Sequence, residues 1–156
     1  MTVEIVCAQS EQDIKAVREL FGEYQDWLGA DLCFQGFEDE LRSLPGKYGR
    51  PEGVLLLAKD GEKIVGCVGV RPLAEEKVCE MKRLWVRQPW RRAGVGRRLA
   101  VGSIEAAQNL GYQTMKLDTL ERLAEAVSLY RALGFTETDA YYDNPLERVI
   151  YMSLAL

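Results

Sequence analysis

The stretch from Glu80 to Gly96 (Glu-Met-Lys-Arg-Leu-Trp-Val-Arg-Gln-Pro-Trp-Arg-Arg-Ala-Gly-Val-Gly) constrains the fold more than any other part of the chain. Its apolar run Met81–Val86, within a strand expected over Val78–Val86, is broken by Pro89. Gly94-x-Gly96 then reads as a turn opening a helix that reaches Leu110 and ends at Gly111. Thr114–Asp118 follows as a strand and Leu123–Leu133 as a helix stopped by Gly134. A strand, helix, strand, helix order is a crossover unit, which makes the two strands parallel neighbours in one sheet. Upstream, Asp60-Gly61 between the apolar runs Val54–Lys59 and Lys63–Val70 is a hairpin signal and adds antiparallel strands. Val3–Ala8 and Val149–Leu154 read as the first and last strands. Between them, Ile14, Val17, Leu20, Phe21, Tyr24 and Leu28 repeat at helical spacing behind a Ser10/Asp13 cap, and Phe37–Leu44 reads as a short second helix. The expected architecture is a mixed, twisted α/β sheet of six to seven strands with helices on both faces, in one domain over residues 1–156.

The same stretch carries chemistry. Lys82, Arg83, Arg87, Arg91, Arg92, Arg97 and Arg98 fall between residues 82 and 98 with no acidic residue among them. Arginines delivered to a helix N-terminus make an anion site, because the dipole and the unpaired amides there both favour phosphate oxygens. Spacing argues against two familiar phosphate loops. A Walker loop needs Lys-Ser/Thr after its last glycine, and Gly96 is followed by Arg97 and Arg98. A dinucleotide fingerprint needs a third glycine where Leu99 stands. What remains is Arg91-x-x-Gly94-x-Gly96, whose plain alternative is a basic helix start with two loop glycines.

Composition narrows the partners. The net charge is −4, so the seven cations of residues 82–98 leave −11 for the remainder. An acidic remainder disfavours general nucleic-acid binding, whereas a compact basic patch suits a small polyanion. The chain has no histidine, which excludes His-based triads and most transition-metal sites. Cys7, Cys33, Cys67 and Cys79 lack Cys-x-x-Cys spacing and read as reduced, packed hydrophobes. No apolar run approaches a membrane span, and Met1–Ser10 lacks a basic segment followed by an apolar one. A cytoplasmic domain without a membrane partner is expected.

Arg91-x-x-Gly94-x-Gly96, followed about thirty residues on by Leu129-Tyr130-Arg131-Ala132-Leu133-Gly134-Phe135, resembles the GNAT family of acetyl-CoA-dependent N-acetyltransferases. The resemblance covers essentially the whole chain. It implies a central strand pair that splays at one end, the strands of Met81–Val86 and Thr114–Asp118, usually through a bulge. The acyl-pantetheine arm would enter that V, and an extended amide-bearing ligand suits strand N–H and C=O groups left unpaired there. The amides of Arg92, Ala93, Gly94, Val95, Gly96 and Arg97 would then hold the pyrophosphate, with Gly94 and Gly96 leaving room for close approach. Arg91 or Arg92, and Arg97 or Arg98, would add charge-assisted contacts, and Leu84, Trp85 and Val86 would pair their backbone with the pantetheine.

For catalysis, Tyr130 occupies the position of the family's thiolate-protonating tyrosine, and core packing is its plain alternative. Glu80, eleven residues before Arg91, resembles the strand glutamate that some relatives use as a general base, directly or through water. Desolvation by Met81, Leu84 and Trp85 would suit it to accept a proton. Its alternative is an exposed strand-end carboxylate paired with Lys82 or Arg83, and many relatives let solvent remove the proton. One departure stands out: relatives often have a coenzyme-touching asparagine where this chain has Leu123. That role passes to Asp118, Thr119 or Arg122, or is not filled. Glu19, Glu23, Asp26, Asp31, Glu38, Asp39 and Glu40, with no Lys or Arg between them, line the acceptor cleft in this fold. They attract a cationic amine there or form a solvated face. Tyr141, Tyr142, Asp143 and Asn144 are expected to form a further wall. The implied activity is acetyl transfer from acetyl-CoA to a primary amine of a small molecule or peptide, without a metal. A homodimer, common in the family, is compatible with it. The alternatives are a non-catalytic acyl-CoA-binding sensor and, disfavoured by charge, a nucleic-acid-binding protein.

Overall fold

The computed structural model describes residues 2–156, so Met1 of the expected domain and of the Met1–Ser10 segment lies outside the described residues. The elements run β1 (Val3–Cys7), α1 (Glu11–Leu28), α2 (Phe37–Ser43), β2 (Val54–Asp60), β3 (Lys63–Pro72), β4 (Val78–Val86), α3 (Val95–Asn109), β5 (Thr114–Leu120), α4 (Ala124–Ala132), β6 (Thr136–Glu137) and β7 (Val149–Ala155). They form one seven-stranded sheet in the order β1-β2-β3-β4-β5-β7-β6. The β4–β5 pair is parallel and the other described pairs are antiparallel, as the crossover and the hairpin require. The β2–β3 turn closes on Asp60 opposite Lys63, with Gly61 at φ +62° as a two-residue hairpin loop needs. At the start of α1, Ser10 Oγ accepts from the Asp13 amide while the Asp13 carboxylate accepts from the Ser10 amide. Gly29 at φ +69° ends that helix.

The sheet has a core on each face. One is built from Val95, Leu99, Ala100 and Ala107 of α3 and Tyr130 of α4, against Leu56, Ala58, Met81, Met115 and Leu117. The other is built from Val17, Leu20, Phe21 and Leu28 of α1 and Phe37 of α2, against Leu55, Leu57, Cys67 and Trp85. Side chains of a strand alternate between faces, so an inserted residue moves everything after it to the opposite face. That happens within β4. Cys79 and Met81 pack toward α3, but so do Leu84 and Val86, while Trp85 packs toward α1. The register agrees: Cys67 lies opposite Trp85 but Gly69 lies opposite Lys82, one residue more on β4 than on β3. Arg83 sits in this bulge at φ +60°, a conformation that non-glycine residues rarely adopt.

The bulge coincides with the parting of the central strands. β4 and β5 are paired at Val78–Thr114, Cys79–Met115 and Glu80–Lys116, and their ladder stops there. Both continue, β4 to Val86 and β5 to Leu120, without pairing to each other. The expected V opens after Glu80 and Lys116.

Candidate active site

A cavity occupies the V, lined by Met81, Lys82, Leu84, Leu117, Thr119 and Tyr130 among others. Through Leu84, Leu123 and Ala126, which line both, it joins an outer groove of about 500 Å³ that runs to the start of α3. There Gly94 and Gly96 form the floor with Arg91, Arg92 and Arg97 along it, and Leu84, Trp85 and Val86 form the strand side. Gly94 must be permissive, since its φ is +79°. Gly96 is different: its backbone is not left-handed, and a Cβ there would meet only Val86 Cγ2, at 3.8 Å. Protein packing does not require glycine at that position, so the room it leaves faces the groove. A helix N-terminus with free amides above such a notch fits a diphosphate.

The seven cations of residues 82–98 do not form one patch. Arg91 donates to the Val86 carbonyl at 2.8 Å and lies over the rings of Trp85 and Trp27, at 4.6 and 5.6 Å. Arg92 makes an exposed pair with Glu125, and Arg97 lines the groove. Arg98 turns away and donates to the Val3 carbonyl, so of the Arg97/Arg98 alternatives the structure brings Arg97 to the groove and not Arg98. The Val95 side chain is in the core, which leaves its amide as the part near the turn, and Ala93 is exposed in the loop. Arg87 is held by Glu23, with Nη2–Oε2 at 2.6 Å, and Lys82 and Arg83 are buried.

Those buried cations explain the acidic stretch. Glu40 binds Arg83 Nε at 3.0 Å and Arg71 Nη1 at 3.4 Å, and Glu23 takes Arg87 and the Trp85 indole. The Arg87 hydrogen bond holds the Glu23 carboxyl below its usual range against the opposing effect of burial. Three of the seven carboxylates thus have counterions after all: Glu40 from β3 and β4, Glu23 from the residue after β4, and Asp39, at the surface, from Arg42 of α2 just past the stretch.

Tyr130 lines the cavity in the V and packs edge-on against Phe135, with ring centroids 5.8 Å apart. Burial pushes its phenol above the ordinary value, which keeps a proton on it at neutral pH. Glu80 is fully buried and lines a second cavity, on the α1/α2 side of β4 and β5, rather than the V. It is therefore not the exposed carboxylate of the alternative reading: it accepts from Arg71 Nε at 2.9 Å and from the Tyr141 hydroxyl, and of the two expected cations Lys82 lies near it, at 3.9 Å. Lys82 and Arg83 line the V, and Arg83 is taken up by Glu40. The Lys82 Nζ lies 3.3 Å from Asp118 Oδ1 and 3.2 Å from Gln35 Oε1, and burial lowers its pKa. Asp118 also accepts from Tyr142 and from Asn144 at 2.9 Å. Burial pushes its carboxyl up, but Lys82 and these hydrogen bonds outweigh that and leave it below its usual value. Tyr141, Tyr142 and Asn144 therefore reach into the buried network, while Asp143 stays exposed. Leu123 itself lines both the V and the outer groove. Of the three residues expected to stand in for an asparagine there, Asp118 and Thr119 line the V, Asp118 as part of the buried network, and Arg122 lines the outer groove while donating to the Leu28 carbonyl.

Arg71, Lys82, Lys116 and Gln35 were not singled out from the sequence as site residues. A signal was present: Glu80/Lys82 on one strand and Lys116/Asp118 on its parallel neighbour put charges at alternate positions of strands covered on both faces. Such strands are ordinarily apolar throughout. Cys33 also departs from expectation, being exposed on the loop after α1, whereas Cys67 and Cys79 are packed as expected.

A sheet parted at its parallel pair, beside a helix that begins in a glycine notch, is the arrangement of the acyl-CoA N-acyltransferase fold. Comparison with known proteins agrees. The profile of the acetyltransferase (GNAT) family matches residues 14–135. A Schizosaccharomyces pombe protein described as an uncharacterized N-acetyltransferase is 41% identical over 155 residues, covering 99% of this chain and 95% of that one. A similarly described Dictyostelium discoideum protein is 32% identical, covering 93% and 94%. Among solved structures, a GNAT-family acetyltransferase from Staphylococcus aureus superposes with a TM-score of 0.81 at 18% identity, covering 99% of both chains. The PaiA N-acetyltransferase of Thermoplasma acidophilum, solved in complex with coenzyme A, gives 0.77 at 17% identity with full coverage of both. The chain belongs to the GNAT acetyltransferase family.

Proposed function

We infer that this chain transfers an acetyl group from acetyl-CoA to a primary amine by direct attack, in the cytoplasm where its cysteines stay reduced. The observation that carries this is the continuity of the V with the glycine notch: one path from the start of α3 to the last β4–β5 pair. Along it, the amides of residues 92–97 would hold the diphosphate and Arg91, Arg92 and Arg97 would add positive charge. Backbone groups of Leu84 and Trp85 and the amide of Val86, whose carbonyl is taken by Arg91, would receive the pantetheine amides along the part of β4 that β5 leaves unpaired. Tyr130 would donate its proton to the departing thiolate. Glu80 would receive the proton lost by the amine, with Tyr141 and Arg71 holding its carboxylate in place.

Thiol release from acetyl-CoA in the presence of a panel of primary amines tests this. Amine-dependent release, with the acetylated product identified by mass spectrometry, is the expected result. Coenzyme binding by calorimetry without turnover of any amine would instead make the chain a sensor.

A further inference from the structure

A row of charges across the sheet bears on the acceptor of the transferase reaction proposed above. Arg71 on β3, Glu80 on β4 and Lys116 on β5 are in-register neighbours and share the α1/α2 face. Lys82, Arg83, Glu40 and Asp118 lie beside them, so four cations face three carboxylates. Each carboxylate is taken: Glu40 by Arg83 and Arg71, Asp118 by Lys82, and Glu80 by Arg71. Lys116 is the cation left over. Its acidic neighbour among the described residues is Glu75, 3.8 Å away on an exposed loop with its side chain 70% accessible. A pair that open to water neutralises little. The Lys116 ammonium lies 5.5 Å from the Tyr141 ring centre, at a cavity of about 460 Å³ that Phe34, Tyr141 and Tyr142 wall with aromatic surface. That volume is in the range of ligand pockets. The cavity meets the V at Gln35, which lines both.

An amine entering such a cavity as a bare cation meets an uncompensated positive charge at reduced dielectric. An acceptor that brings its own carboxylate supplies the missing anion and gains a charge-assisted hydrogen bond. We propose that the acceptor is an α-amino acid with an apolar side chain. Its carboxylate sits on Lys116, its side chain rests on Phe34 and Tyr141, and its amine points past Glu80 toward Gln35 and the V. The amine nitrogen forms a bond to the acetyl carbonyl carbon as the carbon–sulfur bond breaks and its electron pair leaves with sulfur. The ammonium gives up two protons in all, one to solvent as it becomes the attacking amine and one to Glu80 as the amide forms; Tyr130 protonates the sulfur and is reprotonated as Glu80 releases its proton, so one proton is released overall. The products are an N-acetylamino acid and coenzyme A.

L-Phenylalanine and L-leucine are each compared with their amides and with the corresponding amines lacking the carboxylate. Thiol release is measured, and coenzyme-loaded protein is titrated with the same compounds. The amino acids are expected to lead in kcat/KM and in affinity by about tenfold or more, the usual scale of a hydrogen bond to a charged group. Lys116→Gln collapses that preference and Lys116→Arg keeps most of it. Equal use of amino acid, amide and simple amine overturns the proposal, as does an undiminished preference in Lys116→Gln. If no amine releases thiol, the transferase activity fails separately. The titration then still decides the acceptor class: a Lys116-dependent preference for the carboxylate upholds it, and none overturns it.

Discussion

Tyr130 is the residue on which the chemistry can be tested most directly. Its ring is packed against Phe135 and buried, so replacing it with phenylalanine keeps the packing and removes one hydroxyl. Tyr130→Phe is expected to lower kcat by about 10²-fold or more while coenzyme affinity is retained, because only the proton delivered to the thiolate is lost. Steady-state rates beside a calorimetric titration separate the two effects, and an unchanged kcat removes Tyr130 from the mechanism. Tyr130 and Glu80 could be singled out as candidates in the sequence because the family resemblance that points to them rests on short local spacings, one to Gly134 and the other to Arg91. Their partners could not. Glu80 is held by Arg71, nine residues before it, and by Tyr141, sixty-one residues after it, and Lys82 by Gln35 and Asp118 on other elements. Charges that meet only through tertiary structure leave no local spacing to read.

At the level of elements, α3 trades stability for room. Gly96 lies in the first turn of a helix, where glycine is less favourable than alanine by roughly 0.5–1 kcal/mol. A Cβ there finds ordinary contact with Val86 at 3.8 Å and nothing closer. Gly96→Ala is therefore expected to raise stability to chemical denaturation by about that amount, chiefly by restricting the unfolded chain, while weakening coenzyme binding in a titration. A variant that is stabilised and binds coenzyme as before would show that the notch is not the diphosphate seat. Strand and helix identities here were readable from periodicity and from the Asp60-Gly61 turn. Two features escaped it. β6 is two exposed residues paired to β7, too short to show an alternation. The position of the bulge in β4 is marked by Arg83, which has no intrinsic preference for positive φ; its burial against Glu40 and 5.0 Å from the Phe37 ring centre accompanies it there. Such a conformation is selected by long-range contacts and not by the residue type.

Across the whole molecule, the buried charges cross-link parts of the chain that also meet in the core on the α1/α2 face. Lys82 of β4 joins Asp118 of β5 and Gln35 of the loop after α1, and Tyr142 and Asn144, from the loop before β7, close on the same carboxylate. Buried pairs of this kind are weak evidence of stability as such, but removing one member strands the other. Lys82→Met is expected to destabilise the fold by about 3 kcal/mol at pH 7, and combining it with Asp118→Leu to cost less than the two changes added. The pH dependence carries the sign. In the native protein the Asp118 carboxyl lies below its ordinary value of 3.8, so it contributes stability above about pH 3.8 that is lost as the pH falls through its folded value. Without Lys82, burial acts on that carboxyl against fewer opposing contacts and raises its proton affinity, so the native state of the variant gains by taking up a proton. The deficit of Lys82→Met relative to the parent should then be largest near neutral pH and shrink on acidification toward about pH 4. Urea unfolding of both proteins across that range checks it. A deficit constant with pH would mean that the lysine acts through packing of its aliphatic stem and not as the counterion of Asp118.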